Sequence, residues 1–148
     1  MMTMHNLLWL DDLRNPFLDN EHKVPTDINN KHYNINWVLN YEQFVQWLYK
    51  FGLPDAISFD HDLAAEHYTP EFFWDDYEAS KKYQAWKSQY YTEPTGLECA
   101  RFLTYYCRLH DLELPIIHVH SANPVGADQI KELLATFQYE RTIAKNIK

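Results

Sequence analysis

The chain has 148 residues, of which 46% are hydrophobic, and this is enough to build one domain-sized core. Its 13 basic and 21 acidic residues give a net charge of −8, which excludes a general basic surface for nucleic acid, so any nucleotide must be held locally. No run reaches the roughly 18 apolar residues of a membrane span, and no basic segment precedes the first apolar stretch, so we expect a cytoplasmic protein without a membrane partner.

The first predicted elements are two strands separated by a long loop. LLWL at 7–10 is a continuous apolar run that two aspartates end, which is typical of a buried parallel strand. Residues 14–34 carry two prolines and many Asn and Asp residues without a clear period, which predicts a loop. INWVL at 35–39 supplies the second strand.

A helix is predicted to begin after Asn40. Asn40 and Gln43 have the spacing of a capping box, an apolar stripe with helical spacing follows, and Gly52 is a stop signal.

Two further strands and two helices complete this pattern. AISF at 56–59 and PIIHVH at 115–120 are the strands, and Thr95 and Glu98 have the capping-box spacing of a helix between them. A last amphipathic helix is predicted over about 127–139. Strands that alternate with amphipathic helices indicate an α/β domain with a parallel sheet, right-handed crossovers and helices on both faces.

The segment 66–93 interrupts the alternation, since it is crowded with aromatic and acidic residues. Thr69, Pro70 and Glu71 look like a helix start, because proline is common at the first helical position. We therefore predict an inserted helix or lid within a single domain. Its aromatics could pack the helix onto the domain, which we favour, or form a base-stacking platform.

Polar residues follow three of the predicted strands. In an open parallel sheet, ligands bind beyond the carboxyl ends of the strands, so these residues are expected to meet in one crevice. They are Asp11, Asp12, Asp60, His61, Asp62, His118, His120, Ser121 and Asn123.

The aspartates are candidate metal ligands. Asp11 and Asp12 alone would be read as a turn or helix cap, but carboxylates gathered in a partly dry cleft repel each other, and a divalent cation relieves this. Oxygen ligands indicate Mg²⁺ or Mn²⁺, and we assign Asp11, Asp12, Asp60 and Asp62 to the metal. A zinc site that includes the histidines stays open, although no cysteine or HExxH pattern supports it.

The histidines are candidates for proton transfer or for the core. His118 and His120 lie two apart on a strand and share a face. We interpret His118 as a buried, hydrogen-bonded core residue. His120, nearer the strand exit, and His61 are candidate general acids or bases, because an imidazole titrates near neutrality.

A phosphate site is predicted beside these residues. The loop that contains Ser121 and Asn123 leads into a helix, and a hydroxyl, an amide and free backbone N–H groups there can bind an anion. Arg14 could pair with a phosphate or with a carboxylate, and a plain capping turn is the alternative for the loop.

Three motifs together resemble a known family. LWLDDLRNP, ISFDHDL and HVHSANPVGA resemble response-regulator receiver domains and, more closely, the cyclic-phosphate processing receiver-like family. The resemblance implies a three-layer, flavodoxin-like parallel sheet of four to five strands flanked by helices, with the aromatic-rich segment inserted after the third strand. Members of that family are predicted to act on cyclic phosphate ends or related nucleotides.

The resemblance also implies roles for individual residues. Asp11 and Asp12 match the metal-binding acids of receivers, Asp60 the aspartate that accepts phosphate, and Ser121 the hydroxyl residue that contacts it. Matches to the extra polar positions of the cyclic-phosphate branch are His61, Asp62, His120 and Asn123.

The chain departs from receivers in two places. Receivers carry a Lys-Pro pair after a fifth strand, for which this chain offers only Lys145, and the first receiver helix is replaced by the 14–34 loop. Both departures weaken the case for an ordinary phosphorylation switch.

Three functions remain open. The first is a metal-dependent phosphoesterase that acts on a small nucleotide or an RNA-end phosphate, with Asp60, His61 and His120 as catalytic residues. The second is a signalling module phosphorylated at Asp60. The third is a binding or inhibitory protein that captures a nucleotide without turnover.

Overall fold

The computed structural model describes residues 5–17 and 33–147. Within them a parallel sheet has the strand order β2-β1-β3-β4. Its strands are β1 (His5–Leu10), β2 (Tyr33–Val38), β3 (Ala56–Phe59) and β4 (Ile116–Val119). The helices are α1 (Tyr41–Phe51), α2 (Tyr77–Lys87), α3 (Gly96–His110) and α4 (Pro124–Asn146), with 3₁₀ segments at Ala65–His67, Glu71–Phe73 and Ser88–Tyr90. The predicted α/β fold with a parallel sheet is confirmed.

The main core lies on one face of the sheet. Leu8, Leu10, Ile57 and Phe59 of β1 and β3 are fully buried there against side chains of α1, α3 and α4. On the opposite face, a smaller buried cluster consists of strand residues in the part of the chain that the structure describes.

The topology explains why helices cover one face in the described ranges. The connections from β2 to β3 and from β3 to β4 run in the same direction across the sheet, so right-handed crossovers put α1 and α3 on the same side. The connection from β1 to β2 runs the other way, and residues 18–32 within it, most of the predicted 14–34 loop, lie outside the described residues. The strand order thus reverses at β1, and ligands of such sheets bind beside that reversal.

The helix starts test the predicted caps. Asn40 caps α1 through its Oδ1, which accepts a hydrogen bond from Gln43 N at 2.9 Å, as predicted. Thr95 is the N-cap residue of α3, as predicted, but the capping-box hydrogen bonds are not formed, because the Thr95 side chain makes no capping hydrogen bond and Glu98 pairs with Arg101. In the insertion, Thr69 and Pro70 precede the 3₁₀ segment Glu71–Phe73 and not an α-helix. The α-helix of the insertion, α2, begins at Tyr77.

The C-terminal segment differs most from the prediction. The last helix spans 23 residues, through the stretch that could have formed a fifth strand, and the described residues contain four strands. The prediction that Lys145 could replace the receiver lysine is wrong. Lys145 pairs with Glu113, which precedes β4, whereas the predicted site lies at the other end of that strand.

None of the helices in the described ranges is both long and apolar enough to cross a bilayer.

Gly96 is where α3 meets the end of β3. Its N–H donates to the carbonyl of His61 at 2.8 Å, and a Cβ placed on it would lie 1.8 Å from the Asp60 carbonyl oxygen. The backbone of Gly96 lies directly against the backbone of Asp60, so no side-chain rotation could make room for an added Cβ. Gly96→Ala is expected to lower the free energy of unfolding by about 1–3 kcal/mol, measured by urea denaturation.

The exposed Arg101 of the same helix provides the matched control. Arg101→Ala should change the free energy of unfolding by less than about 0.5 kcal/mol. Equal stability of Gly96→Ala and wild type would show that α3 does not need this close approach.

Candidate functional site

Asp11 shapes the turn that follows β1. Its side chain is fully buried, and Oδ1 accepts hydrogen bonds from the backbone N–H groups of Leu13 and Arg14, both at 2.9 Å. Two indoles hold the same turn by its carbonyls: Trp9 Nε1 donates to Arg14 O at 3.0 Å and Trp37 Nε1 to Asp11 O at 2.7 Å. The backbone of the turn is therefore fixed from both sides.

Three carboxylates converge at the reversal of strand order. Asp11, Asp12 and Asp60 each offer one oxygen, and these atoms lie within 4.8 Å of one another. Asp60 is 2% exposed, and Asp12 Oδ1 is buried without a hydrogen-bond partner in the described ranges. Carboxylates this close, and this poorly hydrated, repel each other strongly.

Burial and neighbouring charge shift the pKa values of this cluster. Burial, then repulsion from Asp11 and Asp62, raises the pKa of Asp60 to about 8, and burial and Asp11 also raise that of Asp12. Burial alone would raise the pKa of Asp11 too, but hydrogen bonds from His120 and from the turn backbone outweigh it, so that pKa is lowered. Asp11 is thus the carboxylate that the protein itself keeps ionised.

Arg14 is the cation among the clustered acids. Its Nη1 lies 3.2 Å from Asp11 Oδ2 and 3.7 Å from Asp60 Oδ2. One guanidinium neutralises three carboxylates incompletely, which is consistent with the raised pKa values of Asp12 and Asp60.

His120 is bonded through both ring nitrogens. Nε2 lies 3.0 Å from Asp11 Oδ2, Nδ1 lies 2.7 Å from Ser58 Oγ, and the ring stacks on Trp9 with centroids 3.8 Å apart. An ionised carboxylate can only accept, so Nε2 carries the hydrogen. This geometry assigns His120 to orienting Asp11.

His61 and Asn123 form a second network with Asp62. Asp62 Oδ1 is 2.7 Å from His61 Nδ1 and accepts from Asn123 Nδ2 at 3.0 Å. Asn123 also donates to Gln84 Oε1 of α2 and caps α4 by accepting from Gly126 N at 3.0 Å. Both of its amide hydrogens are therefore used, and its role in the structure is to join α2 and α4 to the end of β3.

The His61 ring is turned away from the clustered aspartates. It packs on Gly126, where an added Cβ would lie 2.2 Å from His61 Cγ, and it lines a separate cavity of about 570 Å³. None of the three clustered aspartates lines that cavity.

The predicted site residues fall into distinct groups. Those that meet at the acid cluster are Asp11, Asp12, Arg14, Asp60, His120 and Ser121, the last of which hydrogen-bonds to the Asp60 carboxyl and lowers its pKa. Asp62 belongs to the second network, although its charge reaches the cluster. The interpretation of His118 as a buried, hydrogen-bonded residue is wrong, since it is half-buried and its side chain makes no hydrogen bond within the described ranges.

The acid cluster opens into a cleft of about 440 Å³. Arg14, Asp60 and Asp62 line it together with Tyr68 and Trp74 of the inserted segment. Sequence analysis did not assign Tyr68, Trp74, Trp9 or Trp37 to the site. For Tyr68 and Trp74 the available signal was the high density of aromatic residues in 66–93, and that density does not distinguish these two from the other aromatics of the segment.

A model of the family described as "Cyclic-phosphate processing Receiver domain" matches residues 6–136. The chain belongs to this family. No curated protein and no solved structure matches the chain. The matched range of this cyclic-phosphate processing receiver domain begins in β1 and ends within α4, so it includes the acid cluster and the inserted segment.

The raised pKa of Asp60 predicts a pH-dependent stability for the metal-free domain. Asp60 titrates near 8 when folded and near 3.9 when unfolded, so between these values folding takes up a proton. The contribution of Asp60 to the free energy of unfolding therefore falls as the pH rises from about 4 to about 8, by up to about 1.4 kcal/mol per pH unit. Urea denaturation in EDTA between pH 5 and pH 8.5 measures this slope.

Asp60→Asn should remove that slope, whereas the exposed Asp75→Asn should keep it. Equal slopes in wild type and Asp60→Asn would contradict the assignment of the proton to Asp60.

Proposed function

We propose that this receiver domain is a metal-dependent phosphoesterase that opens cyclic phosphates on small nucleotides or RNA ends. The observation that carries the proposal is the meeting of three carboxylates, one arginine and a strand-end serine at the mouth of a cleft. Membership of a family described by cyclic-phosphate processing supports the substrate class.

The donor set fits a hard divalent cation such as Mg²⁺ or Mn²⁺. Asp11, Asp12 and Asp60 offer oxygen atoms, and the buried Asp12 Oδ1 lacks any other partner in the described ranges. Oxygen ligands with two or more carboxylates are typical of these ions. A bound cation would offset the repulsion among the acids and polarise a phosphoryl oxygen.

The chain's own groups would bind and orient the phosphate. Arg14 lines the cleft and contacts the carboxylates of the described residues through Nη1, so its other N–H donors can serve a phosphate oxygen in the cleft. The Ser121 hydroxyl, beside Asp60, can donate a second hydrogen bond. His120 supports the reaction through Asp11 and is a positioning residue, because its ring nitrogens are bonded to Ser58 and Asp11.

A phosphorylation switch at Asp60 has less support. Receivers pair the phosphorylated aspartate with a lysine, and Lys145 lies at the other end of β4. Incubation with acetyl phosphate followed by intact-mass measurement should show no stable phosphoryl group, and a stoichiometric acid-labile adduct at Asp60 would favour the switch.

The metal prediction is tested by thermal unfolding. Mg²⁺ at about 100 times its Kd should stabilise the wild type by about 2.7 kcal/mol. Asp12→Ala should melt at a higher temperature than wild type in EDTA, because one repelling carboxylate is gone, and should lose the response to Mg²⁺.

The exposed Asp75→Ala is the control and should respond to Mg²⁺ as wild type does. A wild-type melting curve that ignores millimolar Mg²⁺ and Mn²⁺ would remove the metal from the proposal.

Turnover is tested with 2′,3′-cyclic AMP and an RNA that ends in a cyclic phosphate. His120→Gln should lower both turnover and Mg²⁺ affinity about 10- to 100-fold, because it loosens a carboxylate ligand. His118→Gln, two residues away on β4, should keep both.

A loss of turnover beyond 100-fold with unchanged Mg²⁺ affinity would instead make His120 a general acid or base. Binding without any product, in wild type, would favour the capture protein.

A further inference from the structure

Aromatic side chains of the inserted segment differ in whether they contact one another. Five of them make successive ring contacts with centroids 5.1 to 5.9 Å apart: Phe72, Phe73, Tyr83, Trp86 and Tyr90. Tyr68 and Trp74 make no ring contact within the described ranges. The packing of the insertion therefore does not account for these two side chains.

Tyr68 and Trp74 line the cleft that Asp60 of the acid cluster and Arg14 also line. Trp74 is 64% exposed, and its Nε1 donates to Thr69 O at 2.8 Å, which fixes one edge of the indole beside the cleft. Tyr68 is 41% exposed, and burial of its hydroxyl, followed by the charges of Asp12 and Asp60, raises its pKa to about 12. Tyr68 therefore lines the cleft close enough to the acids for their charges to act on its hydroxyl.

The segment that carries this wall is attached to the domain. Gln84 Nε2 of α2 donates to Gln129 Oε1 of α4 at 2.9 Å, and Tyr77 donates to Asp128 at 2.8 Å. Ser80, buried at the cleft, donates to Phe73 O at 2.6 Å and joins α2 to the preceding turn. The aromatic wall is therefore formed before any ligand enters, which lowers the entropic cost of binding.

We propose that Trp74 and Tyr68 bind the base of a nucleoside phosphate whose phosphate lies at the acid cluster. The site then selects a nucleotide over a phosphate ester without a base. The inference rests on the proposed phosphate site. A cleft of about 440 Å³ lies within the range of small-molecule sites, and aromatic faces bind any base by stacking.

The chemistry points to one nucleotide unit. The chain carries a net charge of −8, and Arg14 is the cationic residue among those that line the cleft, so a longer strand would lack partners for its further phosphates. The same unit can be a free nucleotide or the end of an RNA.

Calorimetric titration in Mg²⁺ tests this inference without turnover. Adenosine 2′-monophosphate should bind the wild type at least 10-fold more tightly than inorganic phosphate. Trp74→Ala should reduce this preference about 5- to 150-fold, the range for loss of one stacked base, and Trp74→Phe should retain most of it. An RNA trinucleotide that ends in a 2′-phosphate separates the two sources: equal affinity indicates a free nucleotide site, and tighter binding an RNA end.

Trp86→Ala is the matched control, since Trp86 is 55% exposed on the same segment but does not line the cleft. It should keep the preference. Equal affinities of wild type for adenosine 2′-monophosphate and phosphate, or full preference in Trp74→Ala, would overturn the inference even if the protein hydrolyses cyclic phosphates. Nucleotide binding that Trp74→Ala abolishes, in a protein without turnover, would support the inference and defeat the proposed function.

Discussion

Repulsion among carboxylates at the ends of β1 and β3 is the constraint on which the site depends. Hydrogen bonds from the turn backbone, Arg14 and His120 all go to Asp11, which lowers its pKa, while Asp60 and Asp12 are left with raised values. The protein thus holds one acid rigidly ionised and leaves two incompletely neutralised. This is an unfavourable arrangement for a metal-free protein and a favourable one for binding a cation.

The N-termini of α3 and α4 both lie against the segment that follows β3. Gly96 lets α3 contact the carbonyl of Asp60, and Gly126 lets α4 contact the ring of His61. Helix N-termini carry a partial positive charge, which favours the anions around them. Close approach of two helices therefore serves the packing of the core and the electrostatics of the site together.

Much of the fold and part of the site could be predicted from sequence. The apolar runs that become β1 and β3 and the Asn40 cap depend on local patterns, and the placement of Asp11 and Asp60 follows from parallel topology. The placement of α1 and α3 on one face and the length of α4 could not be predicted, because they depend on crossover direction and on packing between distant segments. The partners of His120 also depend on contacts across about 60 to 110 positions, which periodicity does not encode.

The roles of histidines and aromatics in the site differ from what their chemistry alone suggests. His61 and His120 have the side chains suited to proton transfer, yet their polar contacts orient Asp62 and Asp11. Tyr68 and Trp74 would ordinarily be core residues, yet they line the open cleft. Fixing several like charges in a small volume consumes hydrogen-bond donors, and imidazoles beside the acids supply them. The groups left beside the cleft are Arg14 and the exposed side chains of Tyr68 and Trp74, and these are the groups that the proposed nucleotide site uses.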